Sequence, residues 1–259
     1  GSYSVRQESR NRVTSDVRQE SATAPVPGSY RADLIANLRP LAHIATLGAE
    51  LDLENIGSMG VSGEFFRNSF VRSDRIVKTY RDLTGALSAL QRRECWDSEY
   101  EDEAGYTAFF EHGFGGDEHK IRAEFSGSHQ EEEEDNHYTN YSDVPPGPVT
   151  FDNSLIRQID DQKRVSLDYT NPLSETSKFE AGYAGDFNAS DATTRIENFD
   201  ADQLRFVQDA TKSNQFRFRE ALHAGYATYE RSLGLFGFMA GLRAEQAITE
   251  SHLVTLDTT

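Results

Sequence analysis

The stretch LDYTNPLSETSKFEAGY, Leu167–Tyr183, sets two alternating runs on either side of a short polar turn that contains a proline. Leu167 and Tyr169 point one way, and Ser166, Asp168 and Thr170 the other. In the second run Phe179, Ala181 and Tyr183 share a face opposite Lys178, Glu180 and Gly182. A period of two marks a β-hairpin. Two kinds of sheet would accept it. A soluble sandwich buries the apolar face against a second sheet, whereas a membrane barrel turns that face to lipid and keeps the polar one inside.

The pattern recurs along the chain. LGAELDLENIGSMGVSGEFF turns near Asn55, YTAFFEHGFGGDEHKIRAEF near Gly116, and GYATYERSLGLFGFMAGLRAE near Gly234. With the first hairpin turning near Ser174, the four turns lie about 60 residues apart, a repeat of architecture rather than of sequence. The second arms are the clearest. Ile121, Ala123 and Phe125 alternate with Arg122, Glu124 and Ser126. Phe236, Phe238, Ala240, Leu242 and Ala244 alternate with Gly237, Met239, Gly241, Arg243 and Glu245.

The connections between these hairpins, 82–90, 131–150 and 189–215, are polar and read as long loops. They include EEEEDNHYTNYSDVPPGP and NASDATTRIENFDADQ. Pro145, Pro146 and Pro148 cluster where no ladder hydrogen bond is lost, and Pro172 is assigned to a short turn. The strands left between turns and loops approach about 20 residues, against roughly 5–6 in soluble sheets. Short turns at one end and long loops at the other are the plan of an outer-membrane barrel. The charged run RRECWDSEYEDE before Ala104 fits a strand that leaves lipid and continues into water. Residues 1–38 are less regular: Tyr3–Val17 reads as an exposed strand arm, Ser21–Tyr30 as a loop, and Ala32–Leu38 as a short helix limited by Pro40. Strand resumes by Ala42. The expected fold is therefore all-β, an antiparallel meander of long strands forming part of a transmembrane barrel. About eight strands are expected over 39–259.

Composition narrows the functions. The chain has 259 residues, 37% of them apolar, with 16 Phe and 11 Tyr. Aromatics at that level argue against disorder and suit strands that are apolar on one face. A net charge of -17 argues against nucleic acid as a partner. The one cysteine, Cys95, excludes an internal disulfide and any multi-cysteine metal site. No run nears the roughly 20 apolar residues of a membrane helix, a limit that does not apply to barrel strands. The opening Gly1-Ser2 reads as a cloning scar or as the start of an excerpt from a longer protein.

SDRIVKTYRD, DNSLIRQIDDQKRVSLDYTNPLSETSKFEAGY and ATYERSLGLFGFMAGLRAE resemble the barrel region of TonB-dependent receptors, within the outer-membrane β-barrel protein family. The resemblance covers roughly Arg39–Thr259, and its motifs are architectural. It implies a 22-stranded barrel, a plug domain in the lumen, and a segment that contacts TonB. It thereby implies active uptake of an extracellular ligand, with outer-membrane lipid, the plug, the remaining strands and the TonB complex as partners. This chain shows no plug-like segment and no TonB contact sequence, and VTLDTT lacks a terminal aromatic. It is therefore expected to be a middle slice of the barrel that does not function alone. Two alternatives stand beside it: a soluble or surface-attached all-β binding module of carbohydrate type, and a small porin-like barrel without TonB coupling.

No catalytic, cofactor-binding or metal residue is assigned, and no enzymatic activity is expected. The run Glu131–Asp135 would suit Ca²⁺ only weakly without Asp-x-Asp-x-Asp-Gly spacing, and otherwise reads as a solvated loop. His129 and His137 bracket it without fixed geometry. His112, His119 and His223 read as residues of a water interface. Asp160 with Asp161, and Glu101, Asp102 and Glu103, are adjacent carboxylates with no partner pattern for acid–base work. Tyr106, Phe114, Tyr169, Phe179, Tyr229 and Phe236 read as girdle aromatics rather than sugar platforms. Arg122, Glu124, Asp168, Glu180 and Arg243 are the expected lumen-facing positions, and 131–150 and 189–215 the expected ligand-contacting loops.

Overall fold

In the computed structural model, residues 1–20, 28–54, 56–115 and 118–256 are described. Twelve strands form one antiparallel sheet. They are β1 (Ser2–Gln7), β2 (Arg10–Glu20), β3 (Gly28–Leu38), β4 (Leu41–Leu53), β5 (Gly57–Arg81), β6 (Leu87–Gly113), β7 (Lys120–Val144), β8 (Thr150–Ser174), β9 (Ser177–Asp200), β10 (Arg205–Gln208), β11 (Asn214–Leu233) and β12 (Phe236–Leu253). The main path runs β1-β4-β5-β6-β7-β8-β9-β11-β12. Among the described residues no pairing joins β12 to β1.

The N-terminal strands stack end to end. β4 pairs with β5 over Gly57–Ser69, and β3 takes over at Arg72–Arg81. β1 and β2 pair with β4 and β3 in the same way. The break falls at Pro40, which has no N–H to donate; its carbonyl accepts the Glu8 N–H at 3.0 Å. The sheet therefore has nine columns. Ala32–Leu38, expected as a helix, is strand, because its backbone is paired on both sides by β2 and β5. The expected loop Ser21–Tyr30 lies outside the described residues except for Gly28–Tyr30, which open β3.

The polar stretches expected as long loops are strand as well. Glu131–Asp135 sits within β7, fully paired with β6 and β8, and Ala189–Asp200 completes β9. The connections shrink to 82–86, 145–149, 201–204 and 209–213. Glu has low strand propensity, but cross-strand Arg residues offset it: Arg157 Nη2 donates to Glu131 Oε1 at 2.6 Å. β6 reaches 27 residues, about 90 Å at roughly 3.3 Å per residue. At the other end, strands turn at 54–56, 114–119, 175–176 and 234–235; Asn55 and Gly116 themselves lie outside the described residues. Gly234 adopts φ 65° in its two-residue connection, a conformation glycine reaches without a Cβ clash. Pro172 is not in a turn but inside β8, next to a register shift. β7 pairs no further than Thr170, so the missing N–H at Pro172 costs no bond to that neighbour.

The two faces differ sharply. Every buried strand residue other than glycine (Ala36, Cys95, Asp97, Asn136, Ser154, Ala224) lies on the face that carries Arg122, Asp168 and Arg243. The opposite face exposes Leu47, Leu51, Val61, Phe65, Phe125, Leu167, Phe238 and Leu242. Crowding on one face with exposure on the other is what a rolled sheet produces, with the polar face concave. No second sheet covers the apolar face among the described residues, so the sandwich geometry is not what this sheet adopts.

Candidate functional site

Strand alternation assembles the concave face. Register carries Arg122 opposite Glu111 and Asp168, Asp168 opposite Gly182, Gly182 opposite Tyr226, and Tyr226 opposite Arg243. The five expected lumen positions thus share one surface. Arg122 Nη2 donates to Glu124 Oε2 at 2.9 Å, Lys178 pairs with Glu180 at 3.0 Å, and Arg243 with Glu245 at 2.5 Å. Tyr226 Oη reaches across β9 to donate to Asp168 Oδ1 at 2.6 Å. That crossing needs Gly182: a Cβ there would stand 2.4 Å from the Tyr226 ring.

On the convex face of the same segments the side chains are apolar over seven to eleven residues per strand. Examples are Phe236–Ala244 on β12, Phe179–Ala189 on β9, Ile121–Gly127 on β7, Ala104–Phe110 on β6 and Ala45–Leu53 on β4. About 9–11 residues is the length a tilted strand needs to cross the hydrocarbon core. Tyr106, Tyr169, Phe179, Tyr229 and Phe236 all belong to this face, and Phe114 lies in the adjoining turn. Tyr3 marks the far rim of the band and Tyr183 lies within it, each hydrogen-bonded to a histidine, His43 and His223, at 2.7 Å.

Beyond the band the strands continue with charge on both faces. Alternation splits EEEED: Glu131, Glu133 and Asp135 point outward, and Glu132 and Glu134 point to the concave side. The outward acids meet cations, Arg157 lying 2.6 Å from Glu131 and 4.0 Å from Glu133. The inward ones meet Glu99 of β6. One oxygen from each of Glu99, Glu132 and Glu134 falls within 4.8 Å of the others, and none has an ion-pair partner among the described residues. Three carboxylates at that spacing are the residues here that could hold a hard cation. Burial, then Glu134 and Asp97, push Glu99 up to about 7.

One register step away lies a buried polar network. Asp97 has no exposed surface and Asn136 only 2%. Arg72 Nη2 sits 3.1 Å from Asp97 and donates to Asn136 Oδ1 at 3.0 Å, while its Nε is 3.2 Å from Asp74. The Arg72–Asp97 contact is an ion pair without hydrogen-bond alignment, since neither Asp97 oxygen accepts a hydrogen bond among the described residues. Burial raises Asp97 to about 6 against the pull of Arg72.

A raised carboxyl pKa means that folding favours the protonated form. The stabilising contribution of Glu99 is complete below the ordinary carboxylate range and is lost as pH rises through about 7. Glu99→Gln is therefore expected to stabilise the protein at pH 8 by on the order of 1 kcal/mol and to change little at pH 4.5. Thermal unfolding of both proteins in detergent at the two pH values checks this; an equal effect at both would refute it. Cys95, 8% exposed, is pushed up to about 11 by burial. Its thiolate population at neutral pH is negligible, so maleimide is expected to label it only after denaturation, which mass spectrometry reads directly.

The remaining sequence candidates disperse. His129 bonds Asp161 at 2.9 Å and His137 bonds Asn153 at 3.0 Å, both outward on β7. Eight residues of strand hold them about 26 Å apart, too far to share a metal. Asp160 and Asp161 point to opposite faces, as do Glu101 and Asp102. His119 contacts Tyr169 Oη at 3.0 Å, and His112 and His119 flank Phe114. No sequence motif singles out Arg72, Asp97, Glu99 or Asn136. Their signal was present in the alternation of Cys95, Asp97 and Glu99 with Trp96, Ser98 and Tyr100, but register alone brings β5, β6 and β7 together there.

A model of the outer membrane protein beta-barrel family matches residues 112–259. No curated protein and no solved structure matches the chain. The match covers more than half of the sequence and includes β7 to β12, which carry a large part of the apolar band and of the charged concave face described above. The band accordingly faces the lipid of the outer membrane, and the charged surface faces the interior of the barrel. By that match and that geometry, the chain belongs to the outer membrane protein β-barrel family.

Proposed function

We propose that the chain forms part of the wall of a TonB-dependent outer-membrane receptor, which takes up an extracellular ligand actively rather than catalysing a reaction. One observation carries this reading. The main path has eight antiparallel steps, so β1 and β12 run in the same direction. A wholly antiparallel barrel cannot close through that pair, and an unpaired edge is not tolerated in hydrocarbon. Further strands are needed, which favours a large barrel of the kind that carries a plug. The plug and the TonB complex are the partners this reading requires, and the charged concave wall is the surface a plug would contact.

A porin-like barrel is the second reading, favoured by the unpaired inward carboxylates Glu99, Glu132 and Glu134, which would draw cations into an open bore. Planar-bilayer recording on the natural full-length protein separates the two. The receptor reading expects no steady conductance and expects cross-linking to TonB in energised cells. Steady, cation-selective unitary steps without TonB cross-linking would overturn it.

A further inference from the structure

The upper rim of the lipid-facing band carries two cations that no carboxylate engages within 4.0 Å among the described residues. Along the outward face beyond the band, arginines meet carboxylates within 4.0 Å: Arg67 with Asp102, Arg75 with Glu94, Arg157 with Glu131, Arg195 with Glu197 and Arg217 with Asp191. Lys163 and Arg219 stand apart, exposed and with no ion pair or hydrogen bond among the described residues. Both line one groove of about 370 Å³. Its floor is apolar: Phe187 faces Lys163 across β8–β9 and Ala221 across β9–β11, and Ile248 faces Ala221 from β12. Three acids border it, and Glu220, on the concave side, accepts from Asn188 Nδ2 at 3.1 Å. Asp161 is engaged by His129 at 2.9 Å, and Glu250 sits opposite Arg219 in the register.

The groove also continues the lipid-facing band. Val165, two residues from Lys163 on the same face, lines a second groove with Phe125, Phe110, Val61 and Leu51. An occupant with an acyl chain on that apolar surface would therefore place its head beside Lys163 and Arg219. The two residues stand two strand spacings apart across the sheet and two residues apart along it, about 12 Å, a gap that two long side chains can close around one phosphate. Long basic side chains at a membrane boundary extend toward headgroups in this way.

We infer that the Lys163–Arg219 groove binds the phosphate headgroup of an anionic lipid of the outer leaflet. The site rests on the outer-membrane assignment and is independent of TonB coupling. Native mass spectrometry of the full-length protein in detergent tests it, with phosphatidic acid and phosphatidylcholine of matched chains as probes. Phosphatidic acid is expected to bind at least about tenfold more tightly, a preference that weakens as salt is added. Lys163→Gln with Arg219→Gln should abolish the preference. Arg157→Gln with Arg217→Gln removes as much charge from paired positions and should leave it intact. Equal binding of the two lipids by the unaltered protein would overturn the proposal without any variant. So would equal losses in both double variants, or displacement of the lipid by inorganic phosphate in molar excess, which would mark a site for free anions.

Discussion

Leu167→Arg is expected to remove most folded protein from the outer membrane, while Ser166→Arg, one residue away, leaves it nearly unchanged. Leu167 is 44% exposed and lies within the apolar band, where it faces Ala123 and Tyr183 across the ladder. A cation at the middle of the lipid-facing surface costs about 2–4 kcal/mol, a large fraction of the roughly 5–15 kcal/mol that holds most proteins folded. Ser166 points to the water-lined concave face, opposite Glu124 and Ala184. An arginine there gains a carboxylate neighbour and loses no apolar contact, so a change below about 1 kcal/mol is expected. Heat-modifiable migration of protein from outer-membrane fractions gives the readout. If Ser166→Arg were lost and Leu167→Arg retained, the assignment of faces would be inverted.

Arg72→Met carries the second large effect. Its guanidinium is the cation beside Asp97, which has no exposed surface, and it also touches Asp74 and Asn136. Deleting one partner of a buried pair leaves the other charge without compensation, a loss of about 3–5 kcal/mol. Trp96, the one tryptophan, adjoins Asp97 in β6 and reports urea unfolding by fluorescence. The expected loss is largest at pH 8. It shrinks toward pH 4.5, because a protonated Asp97 needs no counter-charge; its pKa, already raised to about 6 by burial, rises further once Arg72 is gone. Adding Asp97→Asn should recover at least half of the loss. A stability within 1 kcal/mol of the unaltered protein at both pH values would show that the network contributes nothing.

The correction to the expected loops bears on the receptor proposal. With 131–144 and 189–200 in strands, ligand contact under that proposal moves from flexible loops to the rigid upper wall and to the short tips at 82–86, 145–149 and 201–204. A wall fixed by ladder hydrogen bonds holds its side chains in register, at low entropic cost on binding. Glu99, Glu132 and Glu134 on that wall are preorganised in a way that loop residues would not be.

Much of the fold was legible in the residues themselves. Alternation in Ile121–Ser126, Leu167–Thr170 and Phe236–Glu245 named strands and turns and separated an apolar from a polar face, because a side-chain period of two is a local property of extended backbone. The five lumen positions followed from the same parity. Three things did not follow. EEEED looked like a loop because local propensity disfavours acidic strands, and only the neighbouring columns, with Arg157 among their side chains, decide otherwise. Ala32–Leu38 looked helical because its apolar residues fit either period, until β2 and β5 paired its backbone. Arg72, Asp97, Asn136 and Glu99 lie on strands tens of residues apart in sequence, and their meeting depends on register, which is set by the whole sheet. Local chemistry thus determined which way each side chain points; which side chains meet was left to the pairing of distant strands.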